Sequence, residues 1–274
     1  MEYREISPGT SVPIIGIGTW GMGGRENPDK TTDDKDITAI KTALKLGLKH
    51  IDTAEFYGEG HSEELVGEAI QDFEREDLFL TTKVWHTNLK YDDLLASIQR
   101  SLERLRTDYV DLYLIHWPNE KIPLRETMKA LEKCVENGWT KLIGVSNFSV
   151  TLMKEAQSYL DKHKLVANQV HYSLLHQEPS KTLLPHLRRE NSLLIAYRPI
   201  ARGDLSRKGN KVLDELCIEY GKTQIQVALN WLISQENVIA IPKSSNPEHL
   251  AEITGSIGWR LKEKDAKMLS EAFK

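Results

Sequence analysis

Eight short apolar runs alternating with helical stripes predict an α/β fold for this 274-residue chain, a closed (β/α)8 barrel of the TIM type. Two further observations favour closure. The runs are rich in branched apolar residues with little alternation, as in parallel strands that are buried on both faces. The length suits one barrel, which needs about 250 residues, and no linker, low-complexity tract or block of like charge divides the chain. Residues 1–274 are therefore expected to form one domain.

The first element expected is a β-hairpin, Tyr3–Ile6 and Val12–Ile15, around the turn residues Ser7-Pro8-Gly9-Thr10. It would cover the barrel floor. The first barrel strand is placed at Ile14–Thr19, followed by the stripe Ile37, Ile40, Leu44 and Leu48. The second strand is His50–Ala54 and the third Leu78–Val84. After the third comes the stripe Leu94, Leu95, Ile98, Leu102 and Leu105, whose spacing is helical. Val110–His116 forms the fourth strand, and Gly138 ends the helix after it as a C-cap glycine would. The fifth strand is Leu142–Ser146, with Ser149 as N-cap of the next helix. The sixth and seventh are Ala167–Tyr172 and Leu193–Tyr197. The stripe Leu213, Leu216, Cys217 and Tyr220 stops at Gly221, and Thr223 with Gln226 makes a capping box ahead of Val227-Ala228-Leu229. The eighth strand is Val238–Pro242. Asn246-Pro247 then starts a helix with proline at its first position, and a last helix runs from Lys262 to Phe273 with no tail behind it.

Composition narrows the function. A net charge of −4 and a pI near 6.2 give no basic face for nucleic acid. No stretch is long enough to span a membrane, and Met1-Glu2-Tyr3-Arg4-Glu5 lacks the apolar core of a signal peptide. Cys134 and Cys217 both fall on helical stripes, as buried reduced thiols do, so the expected location is the cytoplasm.

Four polar residues carry the chemistry: Asp52, Tyr57, Lys83 and His116. Each lies at or just past the end of an apolar run. Singly they have ordinary explanations: a strand cap, a buried phenol, a solvent lysine, a core histidine. An isolated charge in a buried strand is costly, however, and the carboxyl ends of parallel strands are where α/β barrels place their chemistry. A carbonyl that receives a hydride becomes an alkoxide and needs a proton donor. Tyr57 can donate, Lys83 can stabilise the phenolate left behind, Asp52 can hold Lys83 charged, and His116 can bond the carbonyl oxygen.

The motifs around these residues resemble the aldo-keto reductase superfamily along essentially the whole chain. They are Asp52-Thr53-Ala54-Glu55-Phe56-Tyr57-Gly58, Thr81-Thr82-Lys83, Leu114-Ile115-His116-Trp117-Pro118 and Ile143-Gly144-Val145-Ser146-Asn147-Phe148. Asn168-Gln169-Val170, Ala196-Tyr197 with Pro199, and Ile241-Pro242-Lys243-Ser244 continue the match. The resemblance implies an NADP-dependent carbonyl reductase, with NAD possible, in which Asp52, Tyr57, Lys83 and His116 are the catalytic tetrad and Tyr57 the general acid. It implies that Ser146, Asn147 and Gln169 contact the nicotinamide carboxamide and that Tyr197 stacks under the ring. Thr19 and Trp20 fall on the first strand's contribution to the cofactor and substrate pocket. Arg198, Pro199, Ile200 and Glu252 complete the implied cofactor set.

Lys243 and Ser244 precede the helix that Asn246 caps, so a cation, a hydroxyl and a helix N-terminus converge there as an anion site. The resemblance assigns it the 2′-phosphate of NADP. Two positions depart from the family pattern: His249 stands where many relatives have Arg, and Ile253 where they have Asn. A neutral imidazole lacks the guanidinium fork, which softens the expected preference for NADP. Arg198, where the family often has Ser, is expected either to pair with the pyrophosphate or to point into solvent.

Two other functions stay open on the sequence. The barrel and cofactor could serve a redox sensor rather than an enzyme, or Lys83 could be a Schiff-base nucleophile. The latter leaves Lys243-Ser244 unexplained. Short loops after the fourth and seventh strands, with Trp20, Phe56, Trp85, Trp117 and Phe148 at the mouth beside His116, suggest a small aldehyde, hydroxyaldehyde or sugar-like substrate. A monomer or weak homo-oligomer is expected.

Overall fold

A computed structural model describes all residues, 1–274. Eight parallel strands form the barrel wall: β3 (Ile17–Gly18), β4 (His50–Asp52), β5 (Phe79–Val84), β6 (Val110–Ile115), β7 (Thr140–Ser146), β8 (Leu165–His171), β9 (Leu193–Tyr197) and β10 (Val238–Ile241). Each pairs with the next in sequence order. The wall closes between its first and last strands. Gly16 N–H donates to Ala240 O and Gly18 N–H to Pro242 O, both at 2.9 Å, and Ala240 N–H donates to Ile14 O at 3.0 Å. Ile15 and Ala240 form a parallel bridge at the same place. The expected (β/α)8 barrel is thus present, with every wall strand covered by helices as an all-parallel sheet requires.

The hairpin is β1 (Tyr3–Ser7) and β2 (Thr10–Pro13), antiparallel with Tyr3 opposite Pro13. It is shorter at its end than the expected Val12–Ile15 because Ile14 and Ile15 belong to the barrel seam, whose carbonyls and amides they share with Ala240. Expected strand Ile14–Thr19 is correspondingly reduced to a two-residue ladder flanked by that seam. Ile6 and Val12 turn into the core, and the Arg4 guanidinium bonds the carbonyls of Ile233 and Gln235, just ahead of β10. Those acceptors sit at the amino ends of the strands, so the hairpin covers the floor and leaves the opposite end open.

Helices follow each wall strand: α1 (Asp33–Lys45), α2 (His61–Ala69), α3 (Tyr91–Leu105), α4 (Leu124–Glu136), α5 (Val150–Ser158), α6 (Leu183–Arg189), α7 (Lys211–Tyr220), α8 (Gln224–Ile233), α9 (Pro247–Thr254) and α10 (Glu263–Ala272). Their ends obey the local chemistry. Ser149 Oγ accepts from Leu152 N–H, Thr223 and Gln226 complete a capping box, and Asn246 Oδ1 accepts from Glu248 N–H. Gly221 ends α7 at φ 62°, the left-handed geometry a glycine adopts without a steric penalty. Cys134 and Cys217 are buried free thiols. No helix is long and apolar enough to cross a membrane.

Candidate active site

At the open end of the barrel, Lys83 is completely buried on β5. Its Nζ donates to Asp52 Oδ1 at 2.6 Å, to Thr53 O at 2.7 Å and to Tyr57 OH at 3.2 Å. All three donor hydrogens of an ammonium are therefore used. Asp52 closes β4, and its second oxygen, Oδ2, accepts from Gln169 Nε2 at 2.6 Å, across the barrel from β8. Strand register explains why these side chains meet. Asp52 pairs with Thr81, so Asp52 and Lys83 both point into the barrel one rung apart, while Thr82 points outward to Glu63 of α2.

A second polar layer lies below the first. His50 Nε2 shares a hydrogen bond with Thr81 Oγ1 at 3.0 Å. Its ring fits because Gly16 has no side chain: a Cβ there would come within 2.7 Å of His50 Nδ1. Burial, with the Lys83 charge adding to it, pushes the His50 pKa down to about 3.

Tyr57 opens a tight 3-10 turn, Tyr57–Gly60, directly after the β4 motif. Gly58 in that turn has φ 56°, and a Cβ on it would stand 2.4 Å from Gly23 O. A glycine is required there for the turn to pack on the β3–α1 loop. Burial raises the Tyr57 pKa, partly opposed by the Lys83 charge, so the phenol holds its proton at neutral pH. Burial also works against the Lys83 ammonium, but the Asp52 charge and the Tyr57 oxygen outweigh it and raise its pKa. Burial pushes Asp52 upward too, against the pull of Lys83. Its two oxygens each accept from a donor, the arrangement of a carboxylate, and the pair is an ion pair.

His116 follows β6, its ring edge-on to Tyr57 with centroids 5.5 Å apart. Burial, then the charges of Lys83 and His86, lowers its pKa well below 6.5, so the imidazole is neutral. Its Nδ1 is buried without a partner. One ring nitrogen of a neutral imidazole is a donor, which suits an incoming oxygen.

Ser146, Asn147, Gln169 and Tyr197 form a connected set on β7 to β9. Ser146 Oγ donates to Gln169 O at 2.8 Å, and Asn147 Nδ2 donates to Ser146 Oγ at 3.0 Å and to His116 O at 3.1 Å. Tyr197 OH donates to Asn147 Oδ1 at 3.0 Å. Thr19 Oγ1 donates to Asp52 O and accepts from Ser62 Oγ, which fixes the first strand against the site.

Trp20, Phe56 and Trp85 form a stacked aromatic row along one rim. The Phe56 and Trp85 rings are 3.7 Å apart at 11°, and Trp20 lies over Phe56 at 6.2 Å. Glu55, a residue whose part sequence reasoning missed, holds the row in place: its Oε1 accepts from Trp85 N–H at 2.7 Å and Asn88 Nδ2 at 3.1 Å. Trp117 is exposed but joins no ring in this row, and Phe148 is buried, only 3% exposed. Together these two line a cavity of about 360 Å³ that Asn147, Tyr197 and His171 also border.

At the end of β10, Lys243 reaches solvent while Ser244 is buried, its Oγ accepting from Asn246 N–H at 3.1 Å. His249 is exposed and Glu252 half-buried on α9; Ile253 packs in the core. Arg198 is exposed with its guanidinium 5.8 Å from the Tyr197 ring. It begins a loop in which Arg198, Ala201 and Arg202 all have positive φ (50°, 48° and 58°). Non-glycine residues in that region carry strain that tends to collect at ligand-binding segments. Pro199 is buried and Ile200 half-buried in the same loop. Arg202 was not legible as part of it, since nothing in its sequence context marks a left-handed residue.

The model of the aldo/keto reductase family matches residues 14–274. Methylglyoxal reductase YeaE of Escherichia coli (strain K12) is 34% identical over 272 residues, 98% of this chain and 94% of the relative. Among solved structures, a thermostable aldo-keto reductase, Tm1743, complexed with the inhibitor epalrestat, superposes with a TM-score of 0.95 at 46% identity, covering 99% of this chain and 100% of that one. An aldo/keto reductase from Klebsiella pneumoniae, in complex with NADP and acetate, gives a TM-score of 0.87 at 32% identity over 96% and 92% of the two chains. The barrel, its buried polar cluster and these matches agree: the chain belongs to the aldo/keto reductase family.

Proposed function

We propose that this chain reduces aldehydes and ketones to alcohols with NADPH, and that Tyr57 gives the proton. The observation that carries the reading is the contact of one buried ammonium, Lys83, with both Asp52 and Tyr57. NADPH, when bound, supplies the hydride. The donor set suits it: Lys243, Ser244 and the Asn246-capped start of α9 for a phosphate, the Ser146–Asn147–Gln169 amide and hydroxyl set for a carboxamide, and the Tyr197 ring for a flat aromatic face. Thr19, Trp20, Arg198, Pro199, Ile200, His249 and Glu252 complete the proposed cofactor contacts.

Each residue of the cluster has a distinct task. His116, neutral, donates a hydrogen bond to the substrate oxygen from its one protonated ring nitrogen, which leaves the proton transfer to Tyr57. Tyr57 stays a phenol in the free enzyme and gives its proton as negative charge builds on that oxygen. The Lys83 ammonium 3.2 Å from Tyr57 OH stabilises the phenolate that results, which lowers the barrier selectively in the transition state. Asp52, oriented by Gln169, keeps Lys83 charged and aimed. A Schiff-base role for Lys83 fits poorly, because a nucleophilic amine must be neutral.

The substrate proposed is a small aldehyde, dicarbonyl or hydroxyaldehyde, the class to which methylglyoxal belongs, bound against Trp20, Phe56 and Trp85. Trp117 and Phe148 would border it from the adjoining cavity. The enzyme is proposed to act in the cytoplasm as a monomer or weak homo-oligomer, since one chain contains the whole cluster. Oxidation of NADPH, followed by absorbance with methylglyoxal, glyceraldehyde and larger ketones, tests the reading. Turnover of none of them would overturn it.

A further inference from the structure

Asp36 is 3% exposed in the first turn of α1, touches no cation directly, and lies outside the cluster described above. Its Oδ2 accepts from Thr32 Oγ1 at 2.8 Å and from Gly23 N–H at 3.3 Å. Its Oδ1 accepts from Ser245 Oγ at 3.0 Å, and Ser245 Oγ accepts in turn from Lys243 Nζ at 3.0 Å. A buried carboxylate is therefore one hydroxyl away from the lysine of the anion site. It also ties that site to the glycine-bearing β3–α1 loop and to α1, elements far from it in sequence.

We propose that Asp36 sets how strongly this chain distinguishes a dinucleotide carrying a 2′-phosphate from one carrying a free hydroxyl. The inference rests on the reading of Lys243 as the phosphate-binding cation. Two physical effects act in the same direction. The carboxylate draws the Ser245 proton to itself, so Ser245 presents lone pairs, not a donor, towards Lys243 and any anion beside it. The negative charge itself offsets part of the Lys243 charge that a phosphate dianion would feel. Although Lys243 reaches solvent, desolvation by its surroundings lowers its pKa; Asp36 opposes that fall, whereas Lys35 and Arg25 add to it. The carboxylate thus acts on this ammonium despite the intervening hydroxyl. A dinucleotide without the 2′-phosphate brings no charge to the place and is indifferent to Asp36.

Dissociation constants for NADP and NAD, measured by calorimetry and by quenching of tryptophan fluorescence at low ionic strength, test this in Asp36→Asn and Asp36→Ser. Both variants remove the charge but keep a polar group for Thr32 and Ser245, and a thermal melt establishes that each folds. The expected result is NADP binding tightened on the order of fivefold, with NAD binding unchanged, and a gain that shrinks as salt is added. Asp36→Glu, which keeps the charge, should not show the gain. Unchanged or weakened NADP binding in both neutral variants overturns the proposal while leaving the anion site standing. Lys243→Met is the separate control: if it leaves the ratio of NADP to NAD affinity untouched, the anion-site reading fails and this inference with it.

Discussion

Lys83 and Asp52 form an ion pair at 2.6 Å in which the lysine side chain is fully buried and the aspartate side chain only 2% exposed. Such a pair is a poor source of stability, because desolvating both ions offsets most of their attraction. Its use is positional. An ammonium with three fixed acceptors cannot rotate away from Tyr57, and the buried carboxylate keeps it charged.

Removing one partner should therefore be costly twice over. Lys83→Met is expected to abolish most turnover and to lower stability by about 3–5 kcal/mol, the cost of leaving a buried carboxylate uncompensated. The double variant Asp52→Asn, Lys83→Met should melt higher than Lys83→Met alone. Additive losses in the thermal melts would mean that the two residues are not energetically coupled.

His249→Arg should tighten NADP binding and leave NAD binding nearly unchanged, because a guanidinium fork on exposed α9 gives a phosphate two charge-assisted bonds that an imidazole does not. An expected gain of about tenfold corresponds to one such contact. Titration of both cofactors by fluorescence reads the result. Equal gains for NADP and NAD would place His249 away from the 2′-phosphate.

The second polar layer predicts how stability responds to acid. His50 has a folded-state pKa of about 3 against 6.5 for an ordinary histidine, because burial disfavours its charge. The unfolded chain takes up that proton first, so the stability His50 confers is present above about pH 6.5 and is lost as the pH falls towards 3, at up to about 1.4 kcal/mol per unit. His116 acts in the same direction. His61, whose pKa rises because Glu64 and Asp33 outweigh the opposing effect of burial, acts in the other: its contribution is full in acid and fades as the pH climbs through its folded value. Urea unfolding between about pH 6 and pH 4.5 should accordingly show a shallower slope in His50→Gln than in the unchanged protein. Parallel slopes would show that His50 is not the group responsible.

Much of this site is legible in the sequence, and the reason is local. A lysine at the end of an apolar run, or an aspartate closing one, breaks a pattern that buried strands otherwise keep, so Lys83 and Asp52 mark themselves. Capping residues such as Thr223, Gln226 and Asn246 also act within a turn of where they stand. What escaped was long-range or conformational. Gln169 reaches Asp52 across 117 residues of sequence and Ser245 reaches Asp36 across 209, and neither contact leaves a local trace. Phe148 was expected to edge the aromatic mouth with Trp20, Phe56 and Trp85. It is buried behind the exposed face and lines the neighbouring cavity beside Trp117 and Asn147, where it touches none of those three rings. Apolarity that continues from Ile14 towards Thr19 marks one long first strand in the sequence. Which neighbour each residue bonds is decided by closure onto β10, not by composition.

The central claim is that Tyr57 gives the proton and that its neighbours serve that act. The most direct measurement is turnover of a small aldehyde by Tyr57→Phe beside its affinity for NADPH. Loss of a group that acts in the transition state should lower kcat by about a thousandfold or more while cofactor affinity changes less than about threefold. Near-normal kcat in this variant would contradict the assignment of Tyr57 and, with it, the roles given to Lys83 and Asp52.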